Sequence, residues 1–88
     1  MGKREMSNTL YFKDMNKKDE HNMSQVIYKV EEFKIFLEVI DNIHLIGLPR
    51  YFSSIRARDD FINEKRNHLI RINEKEVDEL KEYWKSLK

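Results

Sequence analysis

The side chains best equipped for chemistry in this chain are arginines, and they are not evenly spread. Five of the six, Arg50, Arg56, Arg58, Arg66 and Arg71, lie within residues 49–71. A guanidinium is planar and always charged, and its fork matches phosphates, carboxylates and guanine edges in a way that a lysine ammonium does not. With Lys65, this segment holds six basic residues against three acids, whereas residues 24–48 hold two lysines against four acids. The whole chain carries 17 basic and 16 acidic residues, a net charge of only +1, so total charge argues weakly against a dedicated polyanion binder. Arg50, Tyr51, Ser53, Ser54, Arg56, Arg58, Lys65 and Arg66 form the candidate binding set for nucleic acid or a partner. The competing reading is a solvated, self-neutralised face, because on a helix Arg56 reaches Asp59 and Asp60 three and four positions along.

Reactive constellations are missing from the pattern. The chain has no cysteine, which excludes disulfides, thiolate zinc sites and a thiol nucleophile. His21, His44 and His68 show no shared ligand spacing, and His44, on an apolar stretch, reads as a packed core residue. Ser53-Ser54 has no nucleophile elbow around it and no assigned base. Asp59, Asp60, Glu64 and Lys65 are the residue types of a metal nuclease without its carboxylate–x–lysine strand. Asp19-Glu20-His21 in a polar stretch reads as solvated. The expectation is a protein that is not an enzyme, with no metal, no cofactor and no small-molecule substrate.

These groups need elements to hold them. Val26 to Ile46 places apolar residues along adjoining lines at 3.6 residues per turn, with Glu31, Lys34, Glu38 and Asp41 on one stripe. The spacing predicts a long central helix capped by Ser24, apolar over more than half its circumference and in need of cover on several sides. The alternative splits it, with Gln25–Val30 as a strand before a helix. Gly47 would close the first helix in a left-handed conformation, and Pro49 would open a second running to about Asp60. Phe61–Ile72 reads as a hairpin with its tip at residues 64–67. Asn73 and Glu76 form a capping-box pattern, and Val77, Leu80, Trp84 and Leu87 then repeat on one helical face. Residues 1–23 read as a flexible polar arm and 24–88 as one small domain; the alternative makes Thr9–Lys13 an extra edge strand.

Helix, corner, helix, hairpin and helix in that order resemble a winged helix-turn-helix, so the fold class expected is α+β, mainly helical, with three helices and a short β-hairpin. That resemblance covers roughly residues 33–87 and rests on element order. It implies that the helix after the Gly47–Pro49 corner enters a DNA major groove while Lys65 and Arg66 on the hairpin tip meet phosphates. The first functional expectation is therefore a small regulator that binds double-stranded DNA. The second is a protein-binding inhibitor or adaptor, of the kind mobile elements and phages encode, acting through the Arg, Tyr and Phe surface at residues 50–58. The third is a homodimerisation module, motivated by the apolar central helix. No run approaches the ~20 apolar residues of a membrane span, and the expected location is the cytoplasm.

Overall fold

The computed structural model describes residues 9–14 and 25–87. It contains a five-stranded antiparallel sheet: β1 (Thr9–Asp14), β2 (Val26–Glu31), β3 (Phe36–Asp41), β4 (Gly47–Tyr51) and β5 (Leu69–Ile72), in the order β4-β3-β2-β1-β5. Helix α1 (Ile55–Glu64) and a single 3₁₀ turn (Arg66–His68) lead from one edge of the sheet to the other, and helix α2 (Glu74–Ser86) follows β5.

Strand alternation sends the core to both faces of this sheet. Val26, Tyr28 and Val30 of β2 and Leu37 of β3 face α1, where Phe61 and Ile62 pack on them. Ile27 and Ile40 turn the other way and pack with Ile72, Val77 and Trp84, the last two from α2. The molecule is thus a sheet with one helix against each face. Neither helix covers its face completely.

That burial explains the main correction. The expected long helix over Val26–Ile46 is instead the β2–β3 hairpin and the loop leading to β4, and the fold is not mainly helical: the described residues form two α-helices, not three, and about as much strand as helix. A strand covered on both faces reads as a nearly continuous apolar run, which a 3.6-residue period fits as readily as a two-residue one. The strand alternative for Gln25–Val30 agrees with β2. The second expected helix, from Pro49, also fails, because Gly47–Tyr51 is a strand paired with β3 from Ile40–Gly47 to Phe36–Tyr51. Helix α1 starts only after Ser54, whose Oγ accepts the Ala57 amide at 3.1 Å. Gly47 does not adopt a left-handed conformation; Leu45 does, with φ 65°, and its side chain packs against the α2-side core.

The expected hairpin over Phe61–Ile72 is also absent: Phe61–Glu64 completes α1, and Leu69–Ile72 pairs with β1. With no second helix at the corner and no hairpin wing, the winged helix-turn-helix resemblance does not hold. Within the stretch read as a polar arm, Thr9–Asp14 is an interior strand between β2 and β5; the rest of that stretch, together with Ser24, lies outside the described residues. The last helix forms where the sequence places it, except that Leu87 is its exposed C-cap and not part of the buried face. The Asn73 side chain accepts the Glu76 amide at 2.8 Å, and the Glu76 carboxylate accepts the Asn73 amide at 3.0 Å. Buried Trp84 donates its indole N–H to Gln25 Oε1 at 3.1 Å, tying the end of α2 to the start of β2. No helix among the described residues is long and apolar enough to cross a membrane.

Candidate interaction surface

The arginines of the middle segment separate into two kinds. Arg58, expected to look outward, is only 4% exposed. Its Nη1 donates to the carbonyls of Glu31 at 2.6 Å and Lys34 at 2.5 Å, with a longer approach of 3.4 Å to that of Glu32. Its Nε and Nη2 donate to Asp59 Oδ1 at 3.1 and 2.8 Å. The guanidinium therefore fixes the β2–β3 turn to α1 and offers no face to a ligand. A buried charge needs this degree of saturation, since an unpaired one would shift or unfold its surroundings. Nothing in the local sequence distinguishes Arg58 from Arg56; only the three carbonyls of a turn 24 to 27 residues away do so.

Arg50 behaves differently. Its guanidinium lies 4.4 Å from the centroid of the Phe61 ring and 5.5 Å from that of Phe52. Lys65 Nζ lies 5.2 Å from the same Phe61 ring. The ring is held edge-on against Tyr28, with centroids 5.7 Å apart and planes at 88°, so the aromatic base under both cations is anchored in the core. Cations over a ring face are attracted by its quadrupole at ~0.5–1 kcal/mol where exposed, while their polar edges stay free to bind. Tyr51, on the opposite face of the sheet, rests against Phe36 at 5.1 Å and is 66% exposed.

Ser53, Arg56 and Arg66 are exposed, whereas Ser54 spends its hydroxyl on the helix cap. The anticipated pairing of Arg56 with Asp59 or Asp60 does not form; Asp59 instead pairs with Arg58. Among the described residues, Arg50, Arg56, Lys65, Arg66 and Arg71 have no carboxylate within ion-pair distance. Of the eight candidate residues, the structure brings Arg50 and Lys65 together on one ring and sets Tyr51 around the strand from them. It removes Arg58 from the surface.

Sequence reasoning missed the neighbouring apolar groups. Phe33 at the β2–β3 turn is 79% exposed and Ile35 is 45% exposed. The amide of Phe52 donates to the carbonyl of Ile35 at 2.9 Å, so this turn adjoins the end of β4 and the start of α1. Phe33 falls on one of the apolar lines along Val26–Ile46, which the expected helix would bury; Ile35 falls on neither.

The same bond sets which way β4 points its backbone. Phe52 pairs towards β3, and in an antiparallel ladder alternate residues do likewise. Leu48 and Arg50 therefore face β3, while Gly47, Pro49 and Tyr51 turn their backbone groups to the open edge. Pro49 sits at the one kind of strand position where its missing N–H costs the sheet nothing and denies an incoming strand a donor. The β4 edge thus lacks one of the donors that an added strand would use.

Beneath this surface, Tyr28 donates its hydroxyl to Asp14 Oδ2 at 3.2 Å, and both residues are buried. Burial, then the charge and hydrogen bonding of Asp14, push the phenol up to about 12, with Arg50 pulling weakly the other way. At the far end of β3, Asp41 accepts the amides of Ile43 and His44 at 3.0 and 2.6 Å, and His44 Nδ1 lies 2.9 Å from its Oδ2. Burial raises the Asp41 carboxyl, but the His44 contacts and the Ile43 amide outweigh it and leave it below the usual range. His44 is exposed, contrary to the expected core position, and serves a hairpin loop. Among the described residues, no three His, Asp or Glu side chains are grouped to hold a metal. No family model matches the chain, and neither a curated protein nor a solved structure is similar enough to count as a match.

Proposed function

We propose that this chain is a non-enzymatic protein-binding module, an adaptor or inhibitor. It engages its partner along the β4 edge and the adjoining Phe61 platform of α1. The observation that carries this reading is the pair of cations, Arg50 and Lys65, seated on the Phe61 ring without a carboxylate partner among the described residues, with exposed Tyr51 nearby. Arginine and tyrosine flanked by apolar groups are the composition of interface hot spots. Such side chains contribute most where the partner excludes water from them.

The unpartnered cations also favour a second reading, contact with nucleic acid. It would run over β4 and the Lys65–Arg66 corner, because no recognition helix follows Pro49. The outward charges from Ile55 to His68 weigh against it: Arg56, Lys65 and Arg66 are interleaved with Asp59, Asp60 and Glu64. Each neutralised phosphate steepens the salt dependence by about 0.9 in the log–log slope, so three offset cations would hold duplex DNA weakly.

The two readings separate in one experiment. Tagged full-length protein and its Arg50→Glu/Tyr51→Ala variant are used for capture from the native host at 150 and 400 mM salt, alongside titration with a labelled duplex. The adaptor reading predicts a stoichiometric protein partner that survives the higher salt and is lost in the variant, with negligible duplex binding. Steeply salt-sensitive duplex binding without such a partner contradicts it.

A further inference from the structure

We infer that a second copy of this chain docks reciprocally through the β2–β3 turn, each Phe33 ring entering an open groove on the other copy. The groove is lined by Asp59, Ile62 and Asn63 of α1 and by none of Arg50, Phe61 or Lys65, and the inference does not rest on the function proposed above.

An aromatic ring 79% exposed at a tip is ordinarily a liability, and a mobile tip would lose entropy on docking. Here the tip is immobilised. Arg58, itself buried, donates to carbonyls on both sides of Phe33, those of Glu31 and Lys34, with Glu32 at longer range. The chain thus commits a buried guanidinium to holding the backbone that carries an exposed phenyl group.

The receptor lies one residue away. A groove of about 650 Å³ opens on the α1 side of the sheet where the helix leaves β1 and β5 uncovered. Its apolar lining comes from Leu10, Phe12, Val30 and Ile62; Glu32, Arg71 and the Arg58–Asp59 ion pair also border it. An apolar cavity of roughly 150 Å³ suffices to hold benzene, so the groove admits a phenyl ring together with flanking backbone. Projection and groove adjoin through Glu32, the arrangement that a two-fold axis turns into a closed, self-complementary contact.

Charge complementarity identifies the occupant as another copy. The residue before the ring is the exposed acid Glu32, and the groove carries, beside the self-neutralised Arg58–Asp59 pair, Arg71, exposed and without a carboxylate partner among the described residues. A copy that seats Phe33 brings its own Glu32 towards Arg71. The limited core also gives association a thermodynamic motive: nine apolar side chains are buried among the described residues, and domains of this size commonly need oligomerisation, a metal or disulfides to reach ordinary stability.

Sedimentation velocity of the full chain between 5 and 200 µM tests this. The wild type is expected to approach twice its 10.8 kDa mass. Phe33→Asp, at a site too exposed to affect folding, is expected to sediment as a monomer with an unchanged circular dichroism spectrum, its dissociation constant raised at least 10-fold. Glu32→Arg and Arg71→Glu should each weaken association, and the double variant should recover most of it. A wild type that stays monomeric throughout, a dimer indifferent to Phe33→Asp, or a double variant no better than its parents would overturn the inference. A monomeric chain that still captures a partner through Arg50 and Tyr51 would remove the dimer alone.

Discussion

Replacing Arg58 with alanine is expected to be the most damaging single change to any charged side chain of the middle segment. Two of its bonds to the turn are short, 2.6 Å to Glu31 and 2.5 Å to Lys34, and they come from a group that is 4% exposed. Hydrogen bonds involving a charged group contribute about 1.5–3 kcal/mol each, so the short pair accounts for roughly 3–6 kcal/mol. The Asp59 side chain is 53% exposed, and its ion pair adds no more than about 1 kcal/mol. Water can reach part of the turn once the guanidinium is gone, which brings the expected loss for Arg58→Ala to about 3–4 kcal/mol. Against a total of ~5 kcal/mol for a domain this small, the variant would be marginally folded, with a midpoint lowered by roughly 15 °C or more.

Urea unfolding followed by circular dichroism and by Trp84 fluorescence supplies the measurement. Arg58→Lys should retain less than half of the contribution, since an ammonium cannot span both carbonyls and Asp59 together. Arg56→Ala, two residues away and exposed, should remain within about 0.5 kcal/mol of wild type, and Asp59→Ala should lose under about 1 kcal/mol. A loss below about 1.5 kcal/mol for Arg58→Ala, or equal losses for Arg58→Ala and Asp59→Ala, would refute the view that the carbonyls are what this arginine serves.

Three further outcomes are expected. Asn73→Ala removes the capping box of α2 and should cost about 1 kcal/mol in the same urea assay, with no change in the transition slope. The Tyr28 phenol is raised in the folded chain to about 12 from 10.0, so its stabilising contribution is intact below pH 10 and disappears as pH rises towards 12. Urea midpoints at pH 9, 10.5 and 11.5 should accordingly fall faster for wild type than for Tyr28→Phe; parallel curves would contradict the assignment. Pro49→Val restores an outward donor to the β4 edge and should promote concentration-dependent aggregation, read by light scattering, while leaving the thermal midpoint within a few degrees.

The sequence was most legible where one local rule governed one element. Asn73, Glu76 and the Val77–Leu80–Trp84 spacing specify α2 without help from the rest of the chain, and the structure forms its capping box. Val26–Ile46 was illegible for a physical reason. Its strands are interior and covered on both faces, so alternation, the one cue that separates a half-buried strand from a helix, is erased. Ile27 and Tyr28 are adjacent in sequence and both buried, which no surface helix or one-sided strand would require. Thr9–Asp14 gave a short apolar patch in polar surroundings, and its place in the middle of the sheet depends on pairing with residues as near as Val26 and as far as Ile72. At the candidate surface, the arginine concentration was readable and Arg50 and Lys65 do converge. The fate of Arg58 was not readable, because its partners are backbone carbonyls that only the tertiary fold assembles. Phe33 was misread as part of an inward helical face once the wrong element had been chosen.

The recognition claim is tested most directly by site-specific photocrosslinking in the native host, with the photoreactive residue placed in turn at Tyr51 and at Tyr83, an exposed position on α2. The account predicts one discrete protein adduct from position 51, absent when Arg50 is also changed to glutamate, and no such adduct from position 83. Equal labelling from both positions, or an adduct at 51 that is indifferent to Arg50, would contradict it.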